Sequence, residues 1–198
     1  MARLSDAALG VRAGNRRHFV IPRTRALTLA VCLVAACSQA AQAPSPEVRY
    51  EPSPSEVVTA MLELAAVHPG DVVYDLGCGD GRIVIEAARR YGARGVCVDI
   101  DPERIAEASA NAAAAGVAER ISFRQEDLLA TELAGASVVT LFLSPDMNLR
   151  LRPRLERELA SGARIVSHWH RMGDWPPDRT RYVSEGARIR EIFLWVKR

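Results

Sequence analysis

Val72-Val73-Tyr74-Asp75-Leu76-Gly77-Cys78-Gly79-Asp80-Gly81-Arg82 is the stretch from which the rest of the chain can be read. Asp71 to Leu76 is a short apolar strand, Gly77 to Gly81 a glycine-rich turn, and a helix is predicted from about Arg82 to Arg90. Glycines at a strand-to-helix turn let the backbone bend sharply and approach a ligand without Cβ clashes. The N-terminus of the following helix offers unpaired N–H groups and a partial positive charge. Asp99 ends the next apolar run, GVCVDI, 18 residues past Gly81. A carboxylate there accepts both ribose hydroxyls of an adenosine-type ligand.

The spacing separates two cofactor classes. A dinucleotide fingerprint is G-x-G-x-x-G with a pyrophosphate over the helix. Here the pattern is Gly77-x-Gly79-x-Gly81, with Asp75 in the preceding strand. A carboxylate in that place repels a pyrophosphate and suits a ligand carrying an ammonium group. S-adenosylmethionine has an amino acid end, a sulfonium and a ribose, and it matches Asp75 and Asp99 together. A nicotinamide oxidoreductase is excluded on the same two grounds.

Strand and helix patterns alternate on both sides of this motif. Upstream, Ser53-Pro54-Ser55-Glu56 reads as a helix start, with Ser53 as N-cap, Pro54 first in the helix and Glu56 closing a capping box. That helix is predicted to run to about Val67 and to end at His68-Pro69-Gly70, His68 being a solvated loop residue. Downstream, Asp101-Pro102 opens a helix that stops at Gly116, and Ile121 to Arg124 is a third strand. Ser137 to Leu143 (SVVTLFL) is wholly apolar and therefore central. A helix bearing Leu149, Leu151, Leu155 and Leu159 follows, then a strand from Ala163 to His168. Two β-type runs joined by Ser184-Glu185-Gly186-Ala187 close the chain as a hairpin. The fold class is α/β: a Rossmann-like, doubly wound sheet of seven strands, mostly parallel, with an antiparallel C-terminal hairpin.

DLGCGDGR followed by VDIDPERI resembles the class I, seven-β-strand S-adenosylmethionine-dependent methyltransferases. A narrower resemblance rests on Tyr50-Glu51-Pro52-Ser53-Pro54, Val138 to Leu143, Asn148 with Leu151-Arg152-Pro153, and Arg164 to His168. These are similar to a group of small protein-lysine methyltransferases. It includes an archaeal enzyme of broad specificity and mitochondrial enzymes acting on the ATP-synthase c-subunit and the ADP/ATP translocase. The resemblance implies that Gly77, Cys78, Gly79, Asp80 and Gly81 line the cofactor, with Asp75 near its amino group. It implies Asp99 on the ribose, Ile100 against the adenine, and Asp127 accepting from the adenine amino group. Tyr50 and Pro52 would close over the cofactor. Leu143, Ser144 and Asn148 would stand where the acceptor meets the methyl group.

The chemistry asks little of side chains. Methyl transfer is an in-line displacement, so positioning supplies most of the rate. A lysine acceptor must first lose its proton, and an apolar channel lowers an amine's pKa. Ser144, Asn148 and His168 are the catalytic candidates, as groups that orient the amine or receive its proton; Asp146 lies among them. Plainer readings stand beside these. Ser144-Pro145-Asp146 suits a helix cap. His168 and His170 would share a strand face, as a metal pair would, but no third ligand is evident and no metal is expected. Trp169, Trp175 and Pro176-Pro177 form a lid or edge loop, by packing or by binding the acceptor. Cys78 is a small filler. A small-molecule acceptor, another protein atom, or an exported, non-catalytic binding relative remain as alternatives.

The chain has 198 residues, 48% of them hydrophobic, enough for one substantial core. Residues 1–37 hold six arginines and one aspartate; residues 38–198 hold 20 basic and 23 acidic side chains, a balance of −3. No basic tract marks the body, and nucleic acid is not an expected partner. Residues 1–37 read as a signal or leader, with a basic start and the apolar stretch ALTLAVCLVAA. Asn15-Arg16-Arg17-His18-Phe19-Val20 resembles a twin-arginine signal, and Val34-Ala35-Ala36-Cys37 a lipobox whose Cys37 would be lipidated and hold the protein at a membrane. The organisation expected is leader 1–37, linker and cofactor-closing segment 38–52, and methyltransferase domain 53–198. Export as a periplasmic or membrane-anchored monomer is expected, with a cytoplasmic protein as the alternative if the leader does not function. Cys78 and Cys97, the only two cysteines of the body, are too few for a disulfide framework.

Overall fold

The computed structural model describes residues 51–198. Tyr50, Cys37, the leader and most of the 38–52 linker lie outside the described residues. The elements run α1 (Ser55–Leu64), β1 (Val72–Leu76), α2 (Arg82–Tyr91), β2 (Arg94–Asp99), α3 (Pro102–Ala114), a 3-10 turn (Ala118–Arg120), β3 (Ile121–Gln125), β4 (Val138–Leu141), α4 (Pro145–Glu158), β5 (Arg164–His168), β6 (Arg179–Glu185) and β7 (Arg188–Val196). They build a seven-stranded sheet in the order β3-β2-β1-β4-β5-β7-β6. The first five are parallel; β7 pairs antiparallel with both β5 and β6.

Burial explains the order. Every residue of β4 is buried, Thr140 included, as a central position between β1 and β5 requires. One face of the sheet packs Leu76, Leu141, Ile165, Phe193 and Trp195 against Met147, Leu151 and Leu155 of α4. The other packs Val73, Val138, Val166 and Ile192 against Val57, Val58, Met61 and Leu62 of α1. Of the leucines on α4, Leu149 is 47% exposed. It lies two positions from both Met147 and Leu151, which on a helix turns it away from their face.

Several local expectations are corrected. Ser53 is not the N-cap of α1; Pro54 occupies that position without a side-chain cap, and the helix starts at Ser55. The Ser53 hydroxyl is engaged 115 residues away, 2.9 Å from His168 Nδ1, and a buried long-range partner outweighs a local cap. The helix ends at Leu64, because Ala66 turns left-handed at φ 50°. His168 and His170 do not share a strand face. Strand β5 ends at His168 and Trp169 takes φ 71°, which reverses the chain between the two rings.

The cysteines depart from expectation as well. Cys78 and Cys97 form a disulfide, with Cα atoms 5.3 Å apart. The N–H groups of Gly77 and Cys78 both donate to the Val98 carbonyl, at 2.8 and 3.0 Å. Those two bonds draw the glycine turn over the end of β2 and bring Cys78 to its partner. Cys78 is therefore a cross-link, not a filler.

Candidate active site

In open α/β sheets, ligands bind beyond the carboxyl ends of the strands where the strand order reverses. Here that point lies between β1 and β4. The turn after β1 and the turn after β4 meet there: a Cβ on Gly77 would stand 2.9 Å from Leu143 Cδ2. Gly77 has φ 83° and is exposed, whereas Leu143 is buried. At the other end of the turn, Gly81 has φ 79°, and a Cβ would stand 2.9 Å from Ala108 Cβ on α3. Only glycine reconciles that conformation with helices packed so closely.

Three carboxylates frame the crevice. Asp99 Oδ2 accepts the Gly79 N–H at 2.9 Å, and Oδ1 accepts the Asp101 N–H at 3.0 Å. It thus sits on the glycine turn at the end of β2. Asp75 is buried on β1, where its carboxyl is pushed up to about 7. Burial is the main cause; the Thr140 hydroxyl, donating at 2.8 Å, opposes it, while Asp99 and Asp80 add to it. Asp80 pairs with Arg82 at 2.6 Å, and Arg82 Nη1 donates to the Ser53 carbonyl at 2.8 Å. That guanidinium ties the N-terminal segment, with exposed Pro52 beside it, to the glycine turn. Ile100 follows Asp99 half-buried, one residue past the end of β2. Asp127 is exposed after β3, its Oδ1 accepting the Leu129 N–H at 2.8 Å.

The other side of the crevice is built from the ends of β4 and β5. Ser144 caps α4, its Oγ accepting the Met147 N–H at 3.2 Å, so the plainer reading of Ser144 holds. Asn148 is fully buried; its Nδ2 donates to Ser167 Oγ and to the carbonyls of His170 and Arg171, and its Oδ1 has no protein partner. His168 is also fully buried, against the Phe142 ring at 4.0 Å between centroids. Burial lowers its pKa to about 4, helped by Arg190 and His170 against Glu185. The imidazole is therefore neutral at neutral pH, held through Nδ1 by Ser53, with Nε2 buried and without a protein partner. Successive residues of a strand face opposite sides, so Ser167 and Asn148 lie on the α4 side and His168 on the α1 side.

Sequence reasoning missed Ser53, Thr140, Arg82, Phe142 and Cys97 as members of this site. Thr140 carried one signal, a lone hydroxyl in an apolar run. The others depend on pairings between distant segments.

The residues present fit an adenosyl cofactor with an amino acid end: a buried acid for an ammonium, a glycine turn that exposes Gly77, and a carboxylate at the end of β2. A seven-stranded sheet with this crevice defines an S-adenosylmethionine-dependent methyltransferase of class I. Comparison with known proteins carries the assignment further. Residues 75–179 match the family described as the ANTKMT methyltransferase domain, and the chain belongs to that family. It is 43% identical over 152 residues to a protein-lysine N-methyltransferase of Saccharolobus islandicus, covering 76% of this chain and 94% of the relative. It is 33% identical over 142 residues to the adenine nucleotide translocase lysine N-methyltransferase of Mus musculus, covering 71% of this chain but 60% of the relative. Among solved structures, an RNA methyltransferase from Salinibacter ruber in complex with S-adenosyl-L-homocysteine aligns with a TM-score of 0.70 and 49% identity. That alignment covers 74% of this chain and 93% of the other.

Proposed function

We propose that this methyltransferase acts on the side-chain amine of a protein lysine. When bound, S-adenosylmethionine supplies a methyl group made electrophilic by its sulfonium. Asp75 is suited to hold the ammonium of that cofactor, Gly77, Gly79 and Gly81 to lie along its methionine portion, and Asp99 to take the ribose hydroxyls. Ile100 and Asp127 are assigned to the adenine, and Pro52 to the cover over the cofactor; Tyr50, expected beside Pro52, lies outside the described residues. The observation that carries the lysine reading is the Ser53–His168–Phe142 cluster at the carboxyl ends of β4 and β5. A neutral, buried imidazole beside an aromatic ring favours the uncharged form of an amine and can accept one of its hydrogens. His168 is thus assigned to orient the amine, Asn148 to fix the β5 exit through Ser167 and the His170 carbonyl, and Ser144 to start α4. The archaeal and mouse relatives, both lysine N-methyltransferases, support the same acceptor.

An RNA acceptor is the second reading, favoured by the likeness to the Salinibacter ruber RNA methyltransferase. The balance of −3 over residues 38–198 weighs against it, since phosphate backbones are bound by clustered cations. The test is to incubate the protein with labelled S-adenosylmethionine, a bacterial membrane-protein fraction and total RNA. Both products are then hydrolysed, and label is sought in methyllysine and in methylated nucleosides. Label in methyllysine supports the lysine reading; label confined to nucleosides replaces it.

We also infer that residues 1–37 are an export signal, with Cys37 as the lipidated residue. The Cys78–Cys97 bond supports an oxidising compartment, because structural disulfides are rare in the reducing cytosol. Fractionation of cells carrying the native chain or Cys37→Ala tests this; a chain that stays cytosolic and uncleaved in both cases refutes export.

A further inference from the structure

We propose that Trp169 is a specificity-determining residue that forms the outer wall of the acceptor site and packs against the aliphatic stem of the incoming lysine. The inference rests on the lysine reading above and adds a residue to it. Trp169 departs from the ordinary behaviour of a tryptophan in two ways. Its backbone has φ 71°, a region that bulky residues avoid. Its side chain is 43% exposed.

The conformation is imposed from several sides. The Trp169 N–H donates to the Glu191 carbonyl at 2.8 Å, which fixes the turn to β7. The next residue is held by Ser167 Oγ and Asn148 Nδ2, both donating to the His170 carbonyl at 2.6 and 3.1 Å. The indole is left partly exposed one residue past the carboxyl end of β5, the strand that neighbours β4. The Arg190 guanidinium lies 4.9 Å from its ring centre, and Arg190 is itself paired with Glu185 at 2.7 Å. The cluster therefore adds no net positive charge against a cationic residue.

Three rings follow one another at the carboxyl ends of β4 and β5: the His168 ring is 4.0 Å from Phe142, and the Trp169 ring is 6.4 Å from His168. A lysine side chain is a four-carbon stem with one polar head, and such a row matches its stem with aromatic surface and its head with the imidazole. The face of an indole also attracts alkylammonium groups, which suits amines that already carry a methyl. Trp175 has a different role. It packs 5.9 Å from Trp195, and its carbonyl accepts the Trp195 Nε1–H.

The experiment compares the native protein with Trp169→Gly, Trp169→Phe and Tyr182→Ser, the last as an exposed control on the hairpin. Initial rates of transfer from labelled S-adenosylmethionine are measured to a short lysine-rich peptide and to an oligoribonucleotide, beside cofactor affinity and melting temperature. Glycine relieves the backbone strain, so Trp169→Gly is expected to fold at least as stably. Its cofactor affinity should be unchanged and its KM for the peptide raised about tenfold, with part of the loss recovered by Trp169→Phe. An unchanged peptide KM in Trp169→Gly, or an equal fall in cofactor affinity, overturns the proposal. If the native protein binds cofactor but methylates only the oligoribonucleotide, or neither probe, the lysine reading has failed, and the Trp169 proposal with it.

Discussion

Thr140 donates its hydroxyl hydrogen to the Asp75 carboxylate at 2.8 Å, across the parallel pair of β4 and β1 that spans the reversal of strand order. The two residues are directly opposite in the register, buried, and otherwise surrounded by apolar strands. With burial holding Asp75 near 7, the carboxyl is partly protonated in the empty protein at neutral pH. An ammonium group binds its ionised form. Affinity for S-adenosylmethionine is therefore expected to strengthen as pH rises from 6 to 8, and Asp75→Asn to weaken binding and flatten the dependence. Thr140→Val removes the bond that lowers this pKa and should move the curve to higher pH. Calorimetric titration across that range reads all three.

The same group shapes stability in the opposite sense. A carboxyl whose folded pKa is raised binds its proton more tightly folded than unfolded, so its contribution is full below the unfolded pKa, near 3.8. It is lost as pH rises through about 7. The cofactor-free protein is expected to lose melting temperature over that interval, and Asp75→Asn to lose less. Thermal melts of both proteins at a series of pH values check this.

Reduction of the Cys78–Cys97 bond is expected to loosen the cofactor turn. The bond closes a loop with a sequence separation of 19. Loop-closure entropy for that length is worth about 3 kcal/mol, or on the order of 10 °C in melting temperature for a chain of this size. Paired melts with and without reductant, repeated on Cys78→Ala with Cys97→Ala, read the stability. Weaker S-adenosylmethionine binding in the reduced protein is the functional counterpart. Equal melts in both states would show that the cross-link carries no stability.

Gly77 and Gly81 should respond differently to alanine. At Gly77 the new Cβ meets the end of the Leu143 side chain, which can shift. At Gly81 it meets Ala108 Cβ at 2.9 Å and Cα at 3.3 Å, so all of α3 must move. Gly81→Ala is expected to be the more destabilising, by about 2–4 kcal/mol. Gly77→Ala should cost less stability and chiefly reduce cofactor affinity. Denaturant unfolding alongside binding separates the two.

Ser53→Ala leaves the His168 Nδ1 buried without a partner and should destabilise the fold by about 1–3 kcal/mol. It also frees the imidazole to rotate. A larger fall in kcat than in cofactor affinity is expected, and Ser53→Thr, which keeps the hydroxyl, should restore part of it. Steady-state kinetics with the lysine-rich peptide test this pair.

What was legible in the sequence was local or periodic. The glycine turn, Asp75 before it and Asp99 at the end of the next strand follow from residue types at fixed offsets. So do the parallel sheet and the terminal hairpin. What was not legible depends on segments meeting across the fold. The Ser-Pro-Ser-Glu string at Ser53 has the form of a helix cap, yet its first hydroxyl is taken by His168. Cys78 and Cys97 are too few for a disulfide framework, and they meet because the turn folds back onto Val98. The alternation that would put His168 and His170 on one face stops at a left-handed tryptophan.

The central claim is that the crevice beyond β1, β2 and β4 binds S-adenosylmethionine through its carboxylates. Calorimetric titration of the protein and of Asp99→Ala with S-adenosylmethionine, with NAD as control, tests it most directly. Binding of S-adenosylmethionine alone is expected, strongly weakened by Asp99→Ala. No binding by a demonstrably folded sample, or equal affinity in the variant, would contradict it.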